Sequence, residues 1–328
     1  MPANLTPEYY KADKWFKSAT TDSERLLALE EMLRVIPKHK GTEHMRAELR
    51  RKLSRMKDAA SSPKKGGGKH VDIFHVPKSG SGQVVLIGTP NCGKSSLVGA
   101  LSHAKVNIAD YPFSTTEPVP GMAHHEDVPI ELVDMPPITA DYAAGGQIGT
   151  YRNCDIILIV IDLTAPIAEQ LEVSLNYLKS HRLLYDEQTP ATDADGNQLG
   201  KKALIAAAKT DDAQPDAVST LEKLRPSRID IVRTSAIIDE TLDKLTATIF
   251  DLLDIVRVYA KKPGRGPDMK DPFTLPRGSI VTDLAKVIHR ELAEKLKSAR
   301  AWGPAVHDGQ SVHRTYELND KDIIELHF

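Results

Sequence analysis

The segment from Gly88 to Ser96 contains residue types that bind phosphate groups in proteins. It reads Gly-Thr-Pro-Asn-Cys-Gly-Lys-Ser-Ser and fits the phosphate-loop pattern G-x-x-x-x-G-K-[ST]. The apolar run Val84 to Ile87 precedes it, and a helix-like stretch that begins at Leu97 follows it. Successive backbone N–H groups in such a strand–loop–helix segment point inward and favour an anion. The segment therefore predicts a bound nucleotide.

Two side chains of this loop are suited to direct contact with the phosphates and a metal ion. Lys94 is predicted to bridge the β- and γ-phosphates, and the Ser95 hydroxyl to bind Mg²⁺. Cys92 is interpreted as a small filler side chain, with a reactive thiol as the alternative. The residues of the loop predicted to contact the nucleotide are Asn91, Cys92, Gly93, Lys94, Ser95 and Ser96.

Two later segments could complete a magnesium site. The strand-like run Val128 to Val133 ends in Asp134, where phosphate-loop proteins place a carboxylate that helps to hold Mg²⁺. Between the loop and that run lies Tyr111 to Gly121, whose threonines could bind the ion and fold over the γ-phosphate. The alternatives are a structural Asp at a strand end and a proline-rich surface turn.

The elements that must position these residues are apolar strands that alternate with helical stretches. This alternation predicts an α/β domain with a mainly parallel sheet over residues 70–258. The strand candidates are 83–88, 119–124, 128–133, 155–162, 203–208 and 229–234.

The region before this domain has a different pattern. Residues 1–60 predict a helical hairpin with apolar stripes at helical spacing, and residues 61–69 predict a flexible linker. From Lys38 to Lys69 there are eleven Lys or Arg residues against three acidic ones. Either these form a solvated helix face and linker, or they form a surface that contacts RNA or the ribosome.

The region after the α/β domain predicts a linker at 259–270 and a small α+β module at 271–328. In this module we expect strands at Phe273 to Leu275 and Ser279 to Val281, followed by a helix that Thr282 caps. The alternation of apolar and polar residues at the carboxyl terminus, Ile324 to Phe328, predicts a half-buried strand.

Composition places the chain in the soluble globular class. It has 328 residues, of which 41% are hydrophobic and 27% charged, and its net charge of −2 implies no whole-molecule field for nucleic acid or an anionic membrane. Its two cysteines, Cys92 and Cys154, form no disulfide framework. The N-terminus lacks the features of a signal peptide, and the longest apolar stretch, Ile156 to Leu163, is too short to span a bilayer. These features predict a cytoplasmic protein with no membrane partner.

Two further strand exits complete a recognisable order of motifs. The apolar run Leu204 to Ala208 leads into Lys209-Thr210-Asp211, and Ile229 to Thr234 leads into Ser235-Ala236. With the phosphate loop and Asp134, this order resembles translation-factor-class GTPases, and specifically the Obg-related group that includes the developmentally regulated GTP-binding (DRG) proteins.

Short motifs along most of the chain carry this resemblance. Tyr111 to Thr115 is similar to the YPFTT switch of the group, Ala208 to Asp211 to the guanine-reading NKxD motif, and Ser235-Ala236 to the SA loop. The segments Asp271 to Leu275, Gly278-Ser279, Ile288-His289 and Ala301 to Gly303 are similar to the TGS module that ends those proteins. The resemblance implies a P-loop GTPase domain, an N-terminal helical hairpin and a C-terminal β-grasp, TGS-like module.

The resemblance also implies roles for individual residues. Thr115 would be the Mg²⁺-binding switch threonine and would take part in catalysis with Lys94, with Thr116 as the fallback. Asp211 would accept hydrogen bonds from guanine N1 and N2, which adenine cannot offer. Lys209 would cover the base. In the SA loop, formed by Ser235 and Ala236, the Ala236 N–H would meet guanine O6.

Four positions set this chain apart or leave alternatives open. Ala208 replaces the usual Asn, and Pro137 stands where the DxxG motif has a Gly whose N–H binds the γ-phosphate. Ile138 is apolar at the position where many relatives of Ras carry a catalytic Gln. An apolar residue at this position is also a feature of the Obg-related group. Asn91 resembles the Asn of GTPases that recruit K⁺ as a catalytic cation, and a polar turn residue is the alternative.

The expected function is a Mg²⁺-dependent molecular switch that binds GTP and GDP and hydrolyses GTP slowly. The TGS-like module and the basic hairpin would contact the ribosome, RNA or a protein partner. The alternative, suggested by Pro137 and Ala208, is a nucleotide-binding scaffold with negligible hydrolysis. A P-loop kinase of a small metabolite fits the Lys209 to Asp211 and Ser235-Ala236 segments poorly.

Overall fold

The computed structural model describes residues 6–18, 28–29, 31–33, 35–37, 42, 45–53, 74–102, 117–139, 146–184 and 200–328. The chain divides into two compact units, Met1–His70 and Val71–Phe328. The predicted linker at 61–69 and the segment Tyr111 to Thr116, which includes the predicted magnesium ligand Thr115, lie outside the described residues.

The first unit is helical where it is described. Helix α1, Pro7–Ser18, lies within the region 1–60 that the sequence predicts to be a helical hairpin. Residues 45–53 and the described residues between 28 and 35 are also helical. Apolar side chains at helical spacing form one buried cluster, made of Tyr9, Ala12, Leu29, Met32, Ile36 and Leu49.

The second unit begins with a six-stranded sheet. Its order is β2-β3-β1-β4-β5-β6, and every neighbouring pair is parallel except β2 with β3. The α/β fold class and the six predicted strands are confirmed. The strands are β1 Gln83–Ile87, β2 Val119–His125, β3 Val128–Asp134, β4 Ile156–Asp162, β5 Lys202–Ala208 and β6 Asp230–Arg233.

Helices cover both faces of this sheet, which is why its central strands are apolar on both sides. Side chains at alternate positions of β1 enter different clusters: Val84 and Leu86 pack with α2 and α6, whereas Val85 and Ile87 pack with α3, α4 and α5. The helices are α2 Lys94–Ser102, α3 Gln147–Asn153, α4 Ile167–Ser180, α5 Ala217–Leu224 and α6 Asp239–Leu253.

A second, five-stranded sheet forms the C-terminal domain, in the order β10-β9-β11-β7-β8. The apolar side chains of α7, including Leu284 and Ala285, pack with Val256, Ala299 and Ile324 from the sheet. The elements are β7 Ile255–Lys261, β8 Phe273–Pro276, α7 Val281–Ile288, α8 Arg290–Lys295, β9 Ser298–Gly303, β10 Val306–Val312 and β11 Asp322–His327.

The structure corrects the predicted boundary between the two domains. The boundary at 258 and the linker at 259–270 are wrong, because β7, Ile255–Lys261, crosses that boundary as a strand of the second sheet. Only Asp254 separates this strand from α6, and it adopts a left-handed conformation with φ 58°. The domains are thus joined by one residue rather than by a free linker.

Two expectations for the start of the C-terminal helix are also wrong. Ser279 to Val281 is not a strand, since Ile280 makes one isolated bridge to Glu317 and α7 begins at Val281. Thr282 therefore lies inside the helix. The first turn is instead held by Asp283, whose Oδ2 accepts a hydrogen bond from the Ile280 N–H at 3.1 Å.

Polar contacts join the two domains at the turn between β2 and β3. Arg257 of β7 is 2% exposed and donates to Glu126 at 2.5 Å and to Asp127 at 2.9 Å. The Tyr259 hydroxyl donates to Asp127 at 2.6 Å, and Lys321 pairs with Glu126 at 3.0 Å. The guanidinium of Arg257 also lies over the aromatic ring of Phe250 in α6. The turn is therefore bound to the second sheet.

Candidate functional site

The predicted site residues meet at one edge of the first sheet. The five parallel strands β3, β1, β4, β5 and β6 all end at this edge, because parallel strands point in the same direction. In open α/β sheets such carboxyl-terminal edges form the binding crevice. The residues at or just after these ends are Asp134, Gly88, Asp162, Lys209 and Ser235.

The phosphate loop spans the gap between β1 and α2. Asn91 and Gly93 have positive φ values of 60° and 102°, which turn the backbone sharply before the helix starts at Lys94. A Cβ at Gly88 would lie 2.6 Å from Cys92 Sγ and 2.7 Å from Val160 O, so this position requires glycine. Cys92 is buried as a filler against the strand.

The Lys94 side chain lies within the loop. It is 6% exposed, and its Nζ donates to the carbonyl oxygens of Gly88 at 3.0 Å and Thr89 at 2.9 Å. A cation held among carbonyl oxygens at the N-terminus of a helix gives the loop a fixed positive charge next to its backbone N–H groups. The arrangement suits a phosphate chain.

Two of the three predicted magnesium ligands are in contact. The Ser95 Oγ donates to Asp134 Oδ2 at 2.5 Å, and the Asp134 side chain is fully buried. A hydroxyl and a carboxylate are hard oxygen donors of the kind that Mg²⁺ prefers, and Mg²⁺ usually needs few protein ligands when phosphates supply others. The residues present therefore fit the ion.

The two segments that the sequence predicts to read the base lie together at the ends of β5 and β6. Both the backbone N–H and the hydroxyl of Thr210 donate to Thr234 O, at 3.2 and 3.1 Å. Asp211, in the same turn, is exposed to solvent, so its carboxylate is accessible to a ligand. The SA loop is fixed by Ser235, whose N–H donates to Thr241 Oγ1 at 2.9 Å and whose Oγ accepts from Ile237 N.

Ala208 is buried beneath the phosphate loop. It is 2% exposed, and a Cβ built at Gly93 would lie 3.7 Å from the Ala208 Cβ. A longer polar side chain at this position would therefore face the loop backbone directly. The methyl group offers no hydrogen bond there, as the sequence indicated.

Asp162 is a site residue that the sequence analysis missed. It ends β4, is 5% exposed, and its Oδ2 accepts a hydrogen bond from Lys209 Nζ at 2.6 Å. The signal was available, since Asp162 ends an otherwise apolar strand just as Asp134 does. The sequence could not show that the side chain of Lys209, which follows β5, reaches Asp162.

The segment after Asp134 is held from two sides. The Ile138 N–H donates to Gly88 O at 3.2 Å, and Gln147 Nε2 donates to Pro136 O at 3.4 Å. Pro137 between them is buried and has no N–H. Ile138 is fully buried, so its side chain contacts the core rather than the nucleotide edge.

A phosphate loop on an open, mainly parallel sheet, with a Ser–Asp oxygen pair beside it, defines a P-loop nucleotide-binding protein of the GTPase class. Residues 83–188 match the family "50S ribosome-binding GTPase", and residues 256–327 match the family "TGS domain". The second match begins within β7, in agreement with the corrected boundary.

Whole-length relatives make the assignment more specific. Developmentally-regulated G-protein 1 of Arabidopsis thaliana is 27% identical, with 92% of this chain and 90% of that protein covered. The developmentally-regulated GTP-binding protein 2 homolog of Dictyostelium discoideum is 28% identical, over 92% and 98% of the two chains. Over most of its length this chain is thus similar to DRG-type GTPases, and its own C-terminal domain is a TGS domain.

Archaeal proteins are also similar to this chain. An uncharacterized GTP-binding protein of Methanocaldococcus jannaschii is 26% identical, with 92% of each chain covered. A solved GTP-binding protein of Pyrococcus horikoshii is 18% identical and covers 74% of this chain and 99% of that one, with a TM-score of 0.48. Within the described helices, none is long and apolar enough to cross a bilayer.

Proposed function

We propose that this protein binds GTP and GDP at the carboxyl edge of the first sheet and hydrolyses GTP slowly as a molecular switch. The observation that carries the proposal is the 2.5 Å contact of Ser95 with the buried Asp134 beside the phosphate loop. Two hard oxygen donors in contact beside the loop support a Mg²⁺ site there, and Lys94 supplies a positive charge nearby.

Each residue of the site has a proposed part. The loop N–H groups and Lys94 bind the phosphates, and Ser95 and Asp134 hold Mg²⁺ with Thr115. The ion, when bound, would neutralise charge on the β- and γ-phosphate oxygens. Asp211 accepts hydrogen bonds from guanine, and the Ala236 N–H donates to its O6. Adenine offers no N–H at its N1 position and no 2-amino group, so it cannot make these hydrogen bonds with the Asp211 carboxylate.

The slow rate follows from what stands at position 138. Ile138 is buried and apolar, so it cannot orient an attacking water molecule as a glutamine can. Positioning would depend on Lys94 and Thr115, and on a K⁺ ion if Asn91 recruits one. Asn91 is exposed at the top of the loop and has the left-handed conformation noted above. Both a residue that recruits K⁺ and an ordinary polar turn residue are compatible with this conformation.

The second candidate is a scaffold that holds the nucleotide without turning it over. The observation that favours it is the Ile138–Gly88 hydrogen bond, which ties the segment after Asp134 to the loop while Pro137 offers the γ-phosphate no N–H. In this reading GTP and GDP would bind almost alike, and the partner would recognise the occupied state.

Single-turnover hydrolysis of GTP in K⁺ and in Na⁺ separates these candidates. We expect slow phosphate release by the wild type that Asp134→Asn abolishes and that chelation of Mg²⁺ prevents. No release above the Asp134→Asn background in either salt would support the scaffold. Competition with labelled GDP tests the base: displacement by ATP as effective as by GTP would overturn guanine specificity.

We also propose that the protein associates with the ribosome. Two features support this: the matched family is described as a ribosome-binding GTPase, and Lys and Arg are concentrated from Lys38 to Lys69. Contacts of Lys and Arg with RNA phosphates weaken steeply with salt. Cosedimentation with ribosomes at increasing salt, with GTP analogue or GDP bound, tests the proposal; pelleting equal to that of a neutral control protein would refute it.

A further inference from the structure

We propose that Asp162 is a positioning residue of the nucleotide site: it holds Lys209 against the phosphate loop and so sets where Lys209 covers the base. This inference depends on the proposed guanine-nucleotide site, and it adds to that site a residue of a third strand. Asp162 itself need not touch the nucleotide, since it acts through the Lys209 ammonium group.

The carboxylate of Asp162 is fixed by contacts to both of its oxygens. Oδ1 accepts hydrogen bonds from the backbone N–H and the hydroxyl of Thr164, at 2.8 and 2.7 Å. Oδ2 accepts from Lys209 Nζ at 2.6 Å. The Asp162 backbone is held as well, because Gln170 Oε1 accepts from its N–H and Gln170 Nε2 donates to its carbonyl, each at 2.9 Å. Asp162 is therefore a rigid acceptor.

Lys209 benefits from such an acceptor because its long side chain is partly exposed, and the bond to Asp162 is the shorter of its two hydrogen bonds given for the described residues. The side chain is 42% exposed, and the residue has a left-handed backbone with φ 58°, which directs it away from the path of β5. A flexible four-carbon chain at the surface would otherwise sample many rotamers. The charge-assisted bond to the nearly buried Asp162 selects one of them.

The selected rotamer connects the base-reading turn with the phosphate loop. Lys209 Nζ also donates to Asn91 O at 3.3 Å, so one ammonium group bridges the ends of β4 and β5 and the top of the loop. Ala208, directly before it, offers no side-chain hydrogen bond to the loop. In this chain the connection between loop and turn is thus carried by the Asp162–Lys209 pair.

The test is the equilibrium affinity for GDP and for IDP of the wild type, Asp162→Asn, Lys209→Met and the double variant. IDP lacks the exocyclic amine that Asp211 reads, whereas the face of its base is almost the same. Asp155→Asn is the matched control, because Asp155 lies at the other end of β4 and pairs with exposed Lys78. Thermal unfolding without nucleotide reports whether each variant folds.

We expect Asp162→Asn and Lys209→Met each to lower the affinity for GDP about tenfold, and the double variant to lower it no further. The affinity for IDP should fall by the same factor, so that the ratio of the affinities for GDP and IDP stays constant. Asp211→Ala, in contrast, should lower that ratio. Asp155→Asn should remain within about twofold of the wild type.

Additive losses in the double variant, or Lys209→Met within twofold of the wild type, would overturn the proposal. Lys209 is partly exposed, so Lys209→Met can overturn the proposal in this way even if Asp162→Asn unfolds. Failure of the parent proposal looks different, since a wild-type protein that binds GDP no better than ADP has no guanine site at all.

Discussion

The backbone N–H of Ile138 donates a hydrogen bond to the carbonyl oxygen of Gly88, the first residue of the phosphate loop, over 3.2 Å. The same carbonyl accepts from Lys94 Nζ at 3.0 Å. The segment that follows Asp134 is thereby attached to the loop through protein atoms. In a GTPase whose DxxG glycine binds the γ-phosphate, that attachment would instead depend on the nucleotide.

Pro137→Gly tests whether the missing N–H limits the response to the γ-phosphate. We expect the ratio of affinities for a non-hydrolysable GTP analogue and GDP to rise about fivefold, because one new hydrogen bond contributes about 1 kcal/mol. Titration of fluorescent nucleotides measures both affinities. Pro136→Gly is the matched control, since it removes a buried proline one position earlier, keeps the carbonyl that Gln147 contacts, and should leave the ratio unchanged.

Ala208→Asn should strengthen the binding of guanine nucleotides. A side-chain amide at this buried position faces the loop near Gly93, and its hydrogen bond should lower the dissociation constant for GDP about fivefold, equivalent to about 1 kcal/mol. Isothermal titration with GDP is the measurement. Ala208→Ser, whose hydroxyl is too short to span the same gap, should stay near the wild-type affinity. Weaker binding by Ala208→Asn would show that the site is packed too tightly for an amide.

Arg257→Met should destabilise the second unit. The nearly buried guanidinium donates to Glu126, Asp127 and Asp320 and lies 4.7 Å from the Phe250 ring centroid. Because its partners are partly exposed, we expect a loss of about 2 kcal/mol in the free energy of unfolding, less than for a fully buried pair. Urea denaturation provides the value.

The control for this variant is Lys286→Met. Lys286 forms an exposed pair with Asp283 within one helix, and its loss should cost less than about 0.5 kcal/mol. Equal destabilisation by the two variants would mean that the Arg257 contacts contribute no more than a surface ion pair.

The same junction should make the protein sensitive to acid. The hydrogen bond from Lys321 and the charge of Arg257 hold the pKa of Glu126 below its ordinary 4.5. Burial would raise the pKa of Asp127, but hydrogen bonds from Tyr259 and Arg257 outweigh it and keep the pKa below 3.8. Carboxyl groups with lowered folded-state pKa values stabilise the protein above their unfolded values, and that stability disappears as the pH falls.

We therefore expect the free energy of unfolding to fall as the pH is lowered below 4.5, through the lowered pKa values of both groups. The fall should be shallower in Arg257→Met, in which Lys321 and Tyr259 still act. Chemical denaturation at a series of pH values measures the slope. Parallel curves for the two proteins would place the acid-sensitive groups elsewhere.

The sequence was most informative where a residue's environment follows from local pattern. The strands β1, β4 and β5 were predicted because long apolar runs are what a sheet covered on both faces requires. Lys94, Ser95 and Asp134 were placed by motif, and the structure brings the side chains of Ser95 and Asp134 into contact.

The sequence was least informative where tertiary contacts decide. The start of β7 was missed because Ile255 continues the apolar pattern of α6, and only the left-handed Asp254 separates helix from strand. Strands β9 and β10 were not predicted, since the latter is largely polar, with His307 and Asp308 exposed. The reach of Lys209 to Asp162 depends on the neighbouring order of β4 and β5, which a list of motifs does not contain.

The one-residue connection at Asp254 has a mechanical consequence. A domain on a long flexible linker moves independently of the domain to which it is joined. Here α6 continues into β7 after a single residue, and Arg257 fixes the strand to the β2–β3 turn two residues further on. The TGS domain is thus attached at two neighbouring points, the Asp254 connection and the Arg257 contacts. A displacement of the TGS domain would therefore act on the β2–β3 turn, from which β3 runs to Asp134 beside the phosphate loop.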